Sequence, residues 1–146
     1  MTIHSNIHYF SRRLTLGVAG AVLALGLSGC ASMNEPAQAV MLLEPADGAS
    51  VSSPFKVRFG IKGMTVAEAG EILANSGHHH LLINQAPIAV DVSVPFSDQH
   101  LHFGKGQTEA DVKLAPGTYK LTAQFANGAH QSYGVGMSRT ITVTVK

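Results

Sequence analysis

Cysteine, tryptophan and charge are scarce in this sequence. Its 146 residues include one cysteine, no tryptophan and only 13% charged side chains, with a formal net charge of +1. One cysteine excludes an intramolecular disulfide, and a small charge without a basic run excludes a surface built to contact nucleic-acid phosphates. The chain also has no nucleophile elbow, no H-E-x-x-H pair and no P-loop. We therefore expect neither a nucleic-acid partner nor an enzyme.

The first thirty residues have the pattern of a lipoprotein export signal. Arg12 and Arg13 precede an uncharged apolar run over residues 14–27, which is too short to cross a bilayer stably. The run ends in "LSGC", which resembles the bacterial lipobox, whose cysteine is diacylated before cleavage. Lipid attachment gives Cys30, the single cysteine, a purpose. The alternative is an ordinary cleaved signal followed by an unrelated cysteine.

This pattern divides the chain into three parts. We expect residues 1–29 to be a signal peptide, residues 30–39 a lipidated tether and residues 40–146 one domain with its own core. Residue 31 is alanine rather than aspartate, which by resemblance to the bacterial sorting rule favours the outer membrane. We expect an outer-membrane lipoprotein that faces the periplasm, with the membrane as its partner through Cys30.

From Val40 onward the dominant hydrophobic period is two, the period of a half-buried strand. It is clearest in "FKVRFGI", "TYKLTAQF" and "TITVTVK", which are separated by turn signals such as "PADG", "APG" and "ANG". Only residues 64–75 have a helical composition, and Gly70 interrupts it. We predict an all-β fold, a single antiparallel β-sandwich of immunoglobulin-like type. Its core should contain the following side chains: Leu101, Phe103, Leu121 and Phe125.

Histidines are concentrated in two short segments, "GHHHLLIN" and "HLHF". Because side chains alternate faces along a strand, His78 and His80 share one face and His79 the other. With the apolar faces inward, His78, His80, His100 and His102 are expected together on an outer surface, and His79 should point into the core. If the two strands pair, these imidazoles lie within roughly 5 Å of each other at Cβ.

Clustered imidazoles have two interpretations. Imidazole nitrogen is a preferred ligand of zinc and copper, and histidines two residues apart on a strand offer two nitrogens to one ion. The candidate metal ligands are His78, His80, His100, His102 and His130. Copper or zinc affinity should then fall below about pH 6, because the ligand is neutral imidazole with a reference pKa near 6.5. Alternatively, the histidines serve the fold by hydrogen bonding within the core and to backbone carbonyls.

The loop "GKGQTE", residues 104–109, also has two interpretations. Glycines around Lys105 are compatible with an anion-binding nest of backbone amides, in which Lys105, Gln107 and Glu109 would contact a small ligand. The same composition is typical of a tight hairpin turn whose polar side chains satisfy backbone groups.

The motifs together resemble one known family. "NSGHHHLLIN", "HFGKGQTEADVKLAPGTYKLTAQFANGAH" and "ITVTV" are similar to the small exported bacterial family called domain of unknown function 4399, over about residues 40–146. The resemblance implies a β-rich periplasmic domain of unassigned activity. Members usually show two or more histidines in the last loop, whereas "GAHQSYGVGM" here has only His130. Tyr133 or Met137 would have to replace the others if that loop completes a site.

Three classes of function follow from these observations. The first is a lipid-anchored binding module whose histidines hold a transition metal or a small polar ligand. The second is a structural or interaction protein of the cell envelope. The third is a hydrolase, for which the carboxylates nearest the histidines, Asp98 and Glu109, show no recognised spacing.

The lipobox generates the first testable prediction. We expect Cys30→Ser to leave the protein soluble in the periplasm or uncleaved, because one residue supplies the whole membrane anchor. Detergent partitioning of cell fractions measures this. Recovery of the Cys30→Ser protein in the outer-membrane fraction would contradict the anchor.

Overall fold

The computed structural model describes residues 37–146, which form nine strands and one turn of 3-10 helix at Val135–Met137. The expected signal peptide, Cys30 and most of the tether lie outside the described residues. Within 37–146, no helix is long and apolar enough to cross a membrane. The strands are β1 (Ala39–Glu44), β2 (Ser50–Val51), β3 (Phe55–Lys62), β4 (Thr65–Val66), β5 (Ser76–Ile83), β6 (His100–His102), β7 (Glu109–Val112), β8 (Gly117–Ala126) and β9 (Ser138–Val145).

The strands form two sheets. The smaller sheet has the order β1-β3-β7, and both of its pairings are antiparallel. The larger sheet has the order β2-β9-β8-β5-β4, with β6 also paired to β5. The β2–β9 and β4–β5 pairings are parallel, so the larger sheet is mixed, whereas the expectation was an antiparallel sandwich.

One hydrophobic core lies between the two sheets. Phe55, Val57 and Phe59 alternate into it from β3, while Lys56 and Arg58 between them are exposed. The larger sheet contributes buried side chains from β5, β8 and β9, which are Leu81, Ile83, Leu121, Ala123, Phe125, Ile141, Val143 and Val145. Side chains from both sheets therefore form a sandwich-like core, and the all-β prediction is confirmed. The immunoglobulin-like topology within that class stays a prediction.

The segment with helical composition, residues 64–75, contains no helix. After Thr65–Val66 its backbone bonds sideways to neighbouring loops: Ala69 N donates to Gly104 O at 2.7 Å and Gly70 N to Gly128 O at 2.8 Å. Gly70 has a φ of 136°, a conformation that only glycine adopts readily. These backbone N–H groups therefore bond to the loops after β6 and β8 instead of forming a helix.

Strand β5 is buried along its whole length, on both faces. One face packs into the main core. The other carries Leu82, which forms a second small cluster with Val94, Ala126 and the partly buried Ile88. The strandless chain between β5 and β6 therefore covers the face that we expected to be an outer surface. That expectation is wrong, because alternation assigns a side chain to a face but does not reveal what packs on it.

Phe125 tests the core assignment. It is fully buried in the cluster that also contains Phe103 and Leu121, with the partly buried Leu101 packed against it. We expect Phe125→Ala to lower the free energy of unfolding by about 3–5 kcal/mol, through lost burial and the cavity left behind. Urea denaturation measures the change.

The matched control is Phe96→Ala, because Phe96 is 69% exposed and its removal leaves no core cavity. Similar denaturation midpoints for the two variants would contradict the assignment of Phe125 to the core.

Candidate metal centre

The two histidine strands are direct neighbours. β5 and β6 pair antiparallel with His80 opposite His102, and residues opposite each other in such a pair share a face. His78 lies two residues from His80 and so occupies the same face. The predicted convergence of His78, His80 and His102 is therefore confirmed.

The converging atoms are the Nε2 nitrogens. His78 Nε2 and His80 Nε2 are 3.0 Å apart, and His102 Nε2 is 3.0 Å from His130 Nε2. The closest pair of ring centroids among these four residues is His102–His130 at 4.6 Å, and the widest is His80–His130 at 5.8 Å. Four imidazoles thus face one another in a single cluster, which we call the histidine cluster (His78, His80, His102 and His130).

Three members of the cluster could share one ion. Within the described residues, the group of side chains that offers ligand atoms all within 4.8 Å of one another is His78, His80 and His102. His130, the fourth member, contacts His102 from a loop and lies outside that trio. The group that could hold an ion therefore comes from two paired strands, with one loop histidine beside it.

His100 is not part of the cluster. It lies opposite Leu82, one pair further along β5–β6 than His80–His102, and its Nδ1 is 2.8 Å from Ser97 Oγ. The expectation that His100 joins the site is wrong for a geometric reason, since it shares the face but is displaced along the strand. Its imidazole instead helps to form the turn before β6.

Asn127 fixes the loop that carries His130. Asn127 Oδ1 accepts hydrogen bonds from the backbone N–H groups of Ala129 and Gln131, both at 3.0 Å, and its carbonyl accepts one from His130 N at 2.9 Å. His130 itself has a φ of 64°, which is uncommon for a non-glycine residue. This side-chain-capped turn directs His130 back over the sheet. The "ANG" segment predicts a turn before His130, but it does not indicate towards which part of the fold the turn directs the His130 side chain.

Gln124 anchors the two segments that cover the cluster. It lies opposite His80 on β8 and is fully buried. Its Nε2 donates to Gly134 O at 3.0 Å and Met137 O at 3.1 Å, while its Oε1 accepts from Ile88 N at 3.0 Å. The sequence placed Gln124 on the polar face of β8, and that polar face is the covered one. Alternation alone does not indicate that Gln124 positions the site.

Glycine at position 104 leaves room for the His102 ring. A Cβ on Gly104 would overlap Cε1 and Nε2 of His102, so any side chain there would displace the imidazole. Gly104 belongs to the "HFGKGQTE" motif, and this contact gives that glycine a role in the cluster.

Burial keeps the strand histidines neutral. His78 is 0% exposed and His80 is 1% exposed. Burial, followed by the neighbouring charges of His102 and His130, lowers the pKa of His78 to about 4. Burial, then the charge of His78 and the other histidines, lowers the pKa of His80 to about 2. Burial and then the charge of His130 lower the pKa of His102 as well. At pH 6 His78 and His80 are therefore uncharged, so the expected loss of their ligand capacity at about pH 6 moves to a more acidic range.

His79 points away from the cluster into the main core, as predicted. Its ring stacks on Phe59 at 4.9 Å between centroids and meets the edge of Phe125 at 5.0 Å. Neither ring nitrogen has a hydrogen-bond partner in the protein, and burial followed by the charge of His78 lowers its pKa to about 4. The core interpretation of His79 holds, although the hydrogen bond that it assumed is not made within the protein.

The 104–109 loop is a turn closed on itself. Lys105 N donates to Gln107 Oε1 at 2.9 Å, and Gly106 N donates to Phe103 O at 3.2 Å. Glu109 at its end accepts a hydrogen bond from Lys56 Nζ at 3.0 Å on the exposed face of the smaller sheet. Two backbone amides of the loop and the side chains of Gln107 and Glu109 are thus bonded within the protein, which agrees with the alternative interpretation as a tight turn. The binding of a small ligand by Lys105, Gln107 and Glu109 stays a prediction.

Tyr133 and Met137 do not replace the missing loop histidines. Tyr133 OH donates to Ser76 O at 2.7 Å, and its ring stacks on Phe125. Met137 is buried in the main core. His130 is therefore the residue that the last loop brings to the cluster.

Fold and site together define an all-β, sandwich-like protein with a partly buried histidine cluster between one sheet and its covering loops. The chain belongs to the family described as Domain of unknown function (DUF4399), whose model matches residues 57–146. This match includes all four histidines of the cluster and confirms the resemblance found in the sequence. No curated protein and no solved structure matches the chain.

The lowered pKa values predict acid sensitivity. Between pH 6.5 and about 4 the unfolded chain binds protons at His78, His79 and His80 that the folded chain excludes, so stability falls as pH falls through this range. For His79 alone, the difference between 6.5 and about 4 corresponds to about 3 kcal/mol. We expect Tm of the metal-free protein to be highest above pH 6.5 and to drop steeply toward pH 4.5, measured by circular dichroism.

A matched variant isolates one of these groups. His79→Leu keeps an apolar side chain between Phe59 and Phe125 but removes the titrating ring. In this variant the number of protons taken up on unfolding in acid should fall by about one, so stability should depend less steeply on pH. A Tm that stays constant from pH 7 to pH 5 in the unaltered protein would contradict the neutral buried state.

Proposed function

We propose that this protein binds a transition metal ion, copper or zinc, at the histidine cluster. The observation that carries the proposal is the convergence of ring nitrogens from His78, His80 and His102 within 4.8 Å of one another on a buried face. Three imidazoles are a ligand set that zinc and copper favour. The function is that of a binding module rather than an enzyme.

The nitrogen spacing supports metal binding. A tetrahedral zinc ion bound at about 2.0–2.1 Å separates its ligand nitrogens by about 3.3 Å. The Nε2 atoms of His78 and His80 are 3.0 Å apart, so a shift of a few tenths of an ångström would accommodate an ion. The strand that holds His78 and His80 fixes their nitrogens close to that spacing before any ion arrives, and the ligand nitrogen of His102 lies within 4.8 Å of both.

The energetic cost of the arrangement also supports a function beyond folding. The Nδ1 atoms of His78 and His80 are buried without a hydrogen-bond partner in the protein. A buried polar group left unpaired costs about 1–3 kcal/mol, and apolar residues would fill the same face without that cost. Metal binding explains why the face carries imidazoles.

The proposed location rests on the sequence. A lipid on Cys30 would tether the domain to the outer membrane, facing the periplasm, through a short tether of small and polar residues. A metal-binding domain held there would capture ions that enter the periplasm.

The second candidate is a structural protein whose histidines serve the fold. Two observations favour it: the Nε2–Nε2 contacts at 3.0 Å give each imidazole of the cluster a partner without an ion, and His79 fills the core. A small polar ligand in place of the metal is a variant of the first proposal. Titration with metal ions separates these candidates.

The prediction is that metal binding depends on the trio. The protein, purified without a histidine tag, should bind copper or zinc at one ion per chain in calorimetric titration, and its Tm should rise with the ion. The double variant His78→Ala with His102→Ala should lose this binding and remain folded, because two of three ligands are gone.

The matched control is His100→Ala, which removes a histidine of the same strand outside the trio and should bind like the unaltered protein. A folded double variant that still binds the ion at full affinity would refute the site. An unaltered protein that binds neither ion would favour the structural candidate.

A further inference from the structure

The histidine cluster contains no negative charge. Among the histidine, cysteine, aspartate and glutamate side chains of residues 37–146, the group that could share an ion consists of histidines alone. A histidine that binds a metal does so as neutral imidazole. Zn²⁺ or Cu²⁺ at this position would therefore keep its full charge of +2 inside a buried face.

A buried charge without compensation is unfavourable. Three protein ligands also leave a tetrahedral ion one position short. A small anion bound in the fourth position would complete the coordination and neutralise half of the charge.

The cluster has one partly accessible side, at His102 and His130. Both are partly exposed, whereas His78 and His80 are fully covered. The exposed ring of Phe96 lies beside the same two histidines, at centroid distances of 5.3 Å and 5.1 Å. A molecule from solvent would reach the ion past these three rings.

His130 is placed to hold such an anion. In the metal-free protein His130 Nε2 is hydrogen-bonded with His102 Nε2 at 3.0 Å. When His102 Nε2 gives its lone pair to an ion, it can neither donate nor accept that hydrogen bond, and His130 needs a new partner. An anion in the fourth position supplies one, since a protonated Nε2 donates hydrogen bonds.

Resting on the proposed function, we infer that an ion held by His78, His80 and His102 keeps its fourth position open to a small anion, which binds beside Phe96 and accepts a hydrogen bond from His130. In this arrangement His130 is a positioning residue and not a metal ligand. By linkage, the anion and the ion strengthen each other's binding by the same factor.

The experiment uses Co²⁺ as the ion, because its visible spectrum reports the ligand geometry, and azide as the anion. The untagged protein is loaded with Co²⁺ in chloride-free buffer and titrated with azide at constant ionic strength. We expect a spectral change that saturates at one azide per cobalt. In His130→Ala cobalt should still bind, with the azide Kd raised about tenfold or more through loss of a charge-assisted hydrogen bond.

His100→Ala is the matched control and should behave like the unaltered protein. One outcome is that azide leaves the spectrum of the cobalt-loaded unaltered protein unchanged but changes that of His130→Ala. This result would identify His130 as the fourth ligand and overturn the inference. Equal azide affinity in the unaltered protein and His130→Ala would overturn the role of His130. Failure to bind cobalt, zinc or copper at all would overturn the proposed function itself.

Discussion

The burial of strand β5 on both faces is the constraint on which the rest of the structure depends. β5 lies between β8 on one side and β4 and β6 on the other, so its backbone hydrogen bonds are made within the sheet. A strand in this position normally carries apolar side chains on both faces. Here three consecutive residues are histidines, and alternation directs His79 into the main core and His78 and His80 to the covered face.

This placement requires polar support on the covered face. Gln124 holds the segment after β5 and the 3-10 helix through three hydrogen bonds. Ser132 joins the same two segments, since its Oγ donates to Ile88 O at 3.0 Å and accepts from Gly134 N at 2.8 Å. These contacts satisfy backbone groups that the irregular covering chain would otherwise leave unpaired. The cluster therefore has a rigid side made of strands and a covering side made of loops joined by side chains.

The strands and the faces of their side chains could be predicted from the sequence. The cover over β5 and the position of His130 could not, for physical reasons. Period two correctly separated His79 from His78 and His80 and placed Phe125 in the core, because that pattern follows from strand geometry alone. It could not reveal that the second face is covered, since residues 84–99 contain no strand, even though Ile88, Val90, Val92 and Val94 alternate as they would in one. The contribution of His130 depends on a left-handed backbone conformation and on the Asn127 turn, which no hydrophobic pattern encodes.

The division between strands and loop bears on how the cluster would work. Ligands on paired strands lose little freedom when an ion binds, because sheet packing already fixes their positions. The loop histidine differs, since His130 is held by hydrogen bonds within its own turn. Its hydrogen bond to the trio is made with His102, and its ring also lies 4.9 Å from that of His78 between centroids. In the proposed metal centre, the His130 loop would therefore adjust to a change in occupancy more readily than β5. The strands would determine whether an ion is held there, and the loop would determine what else can reach it.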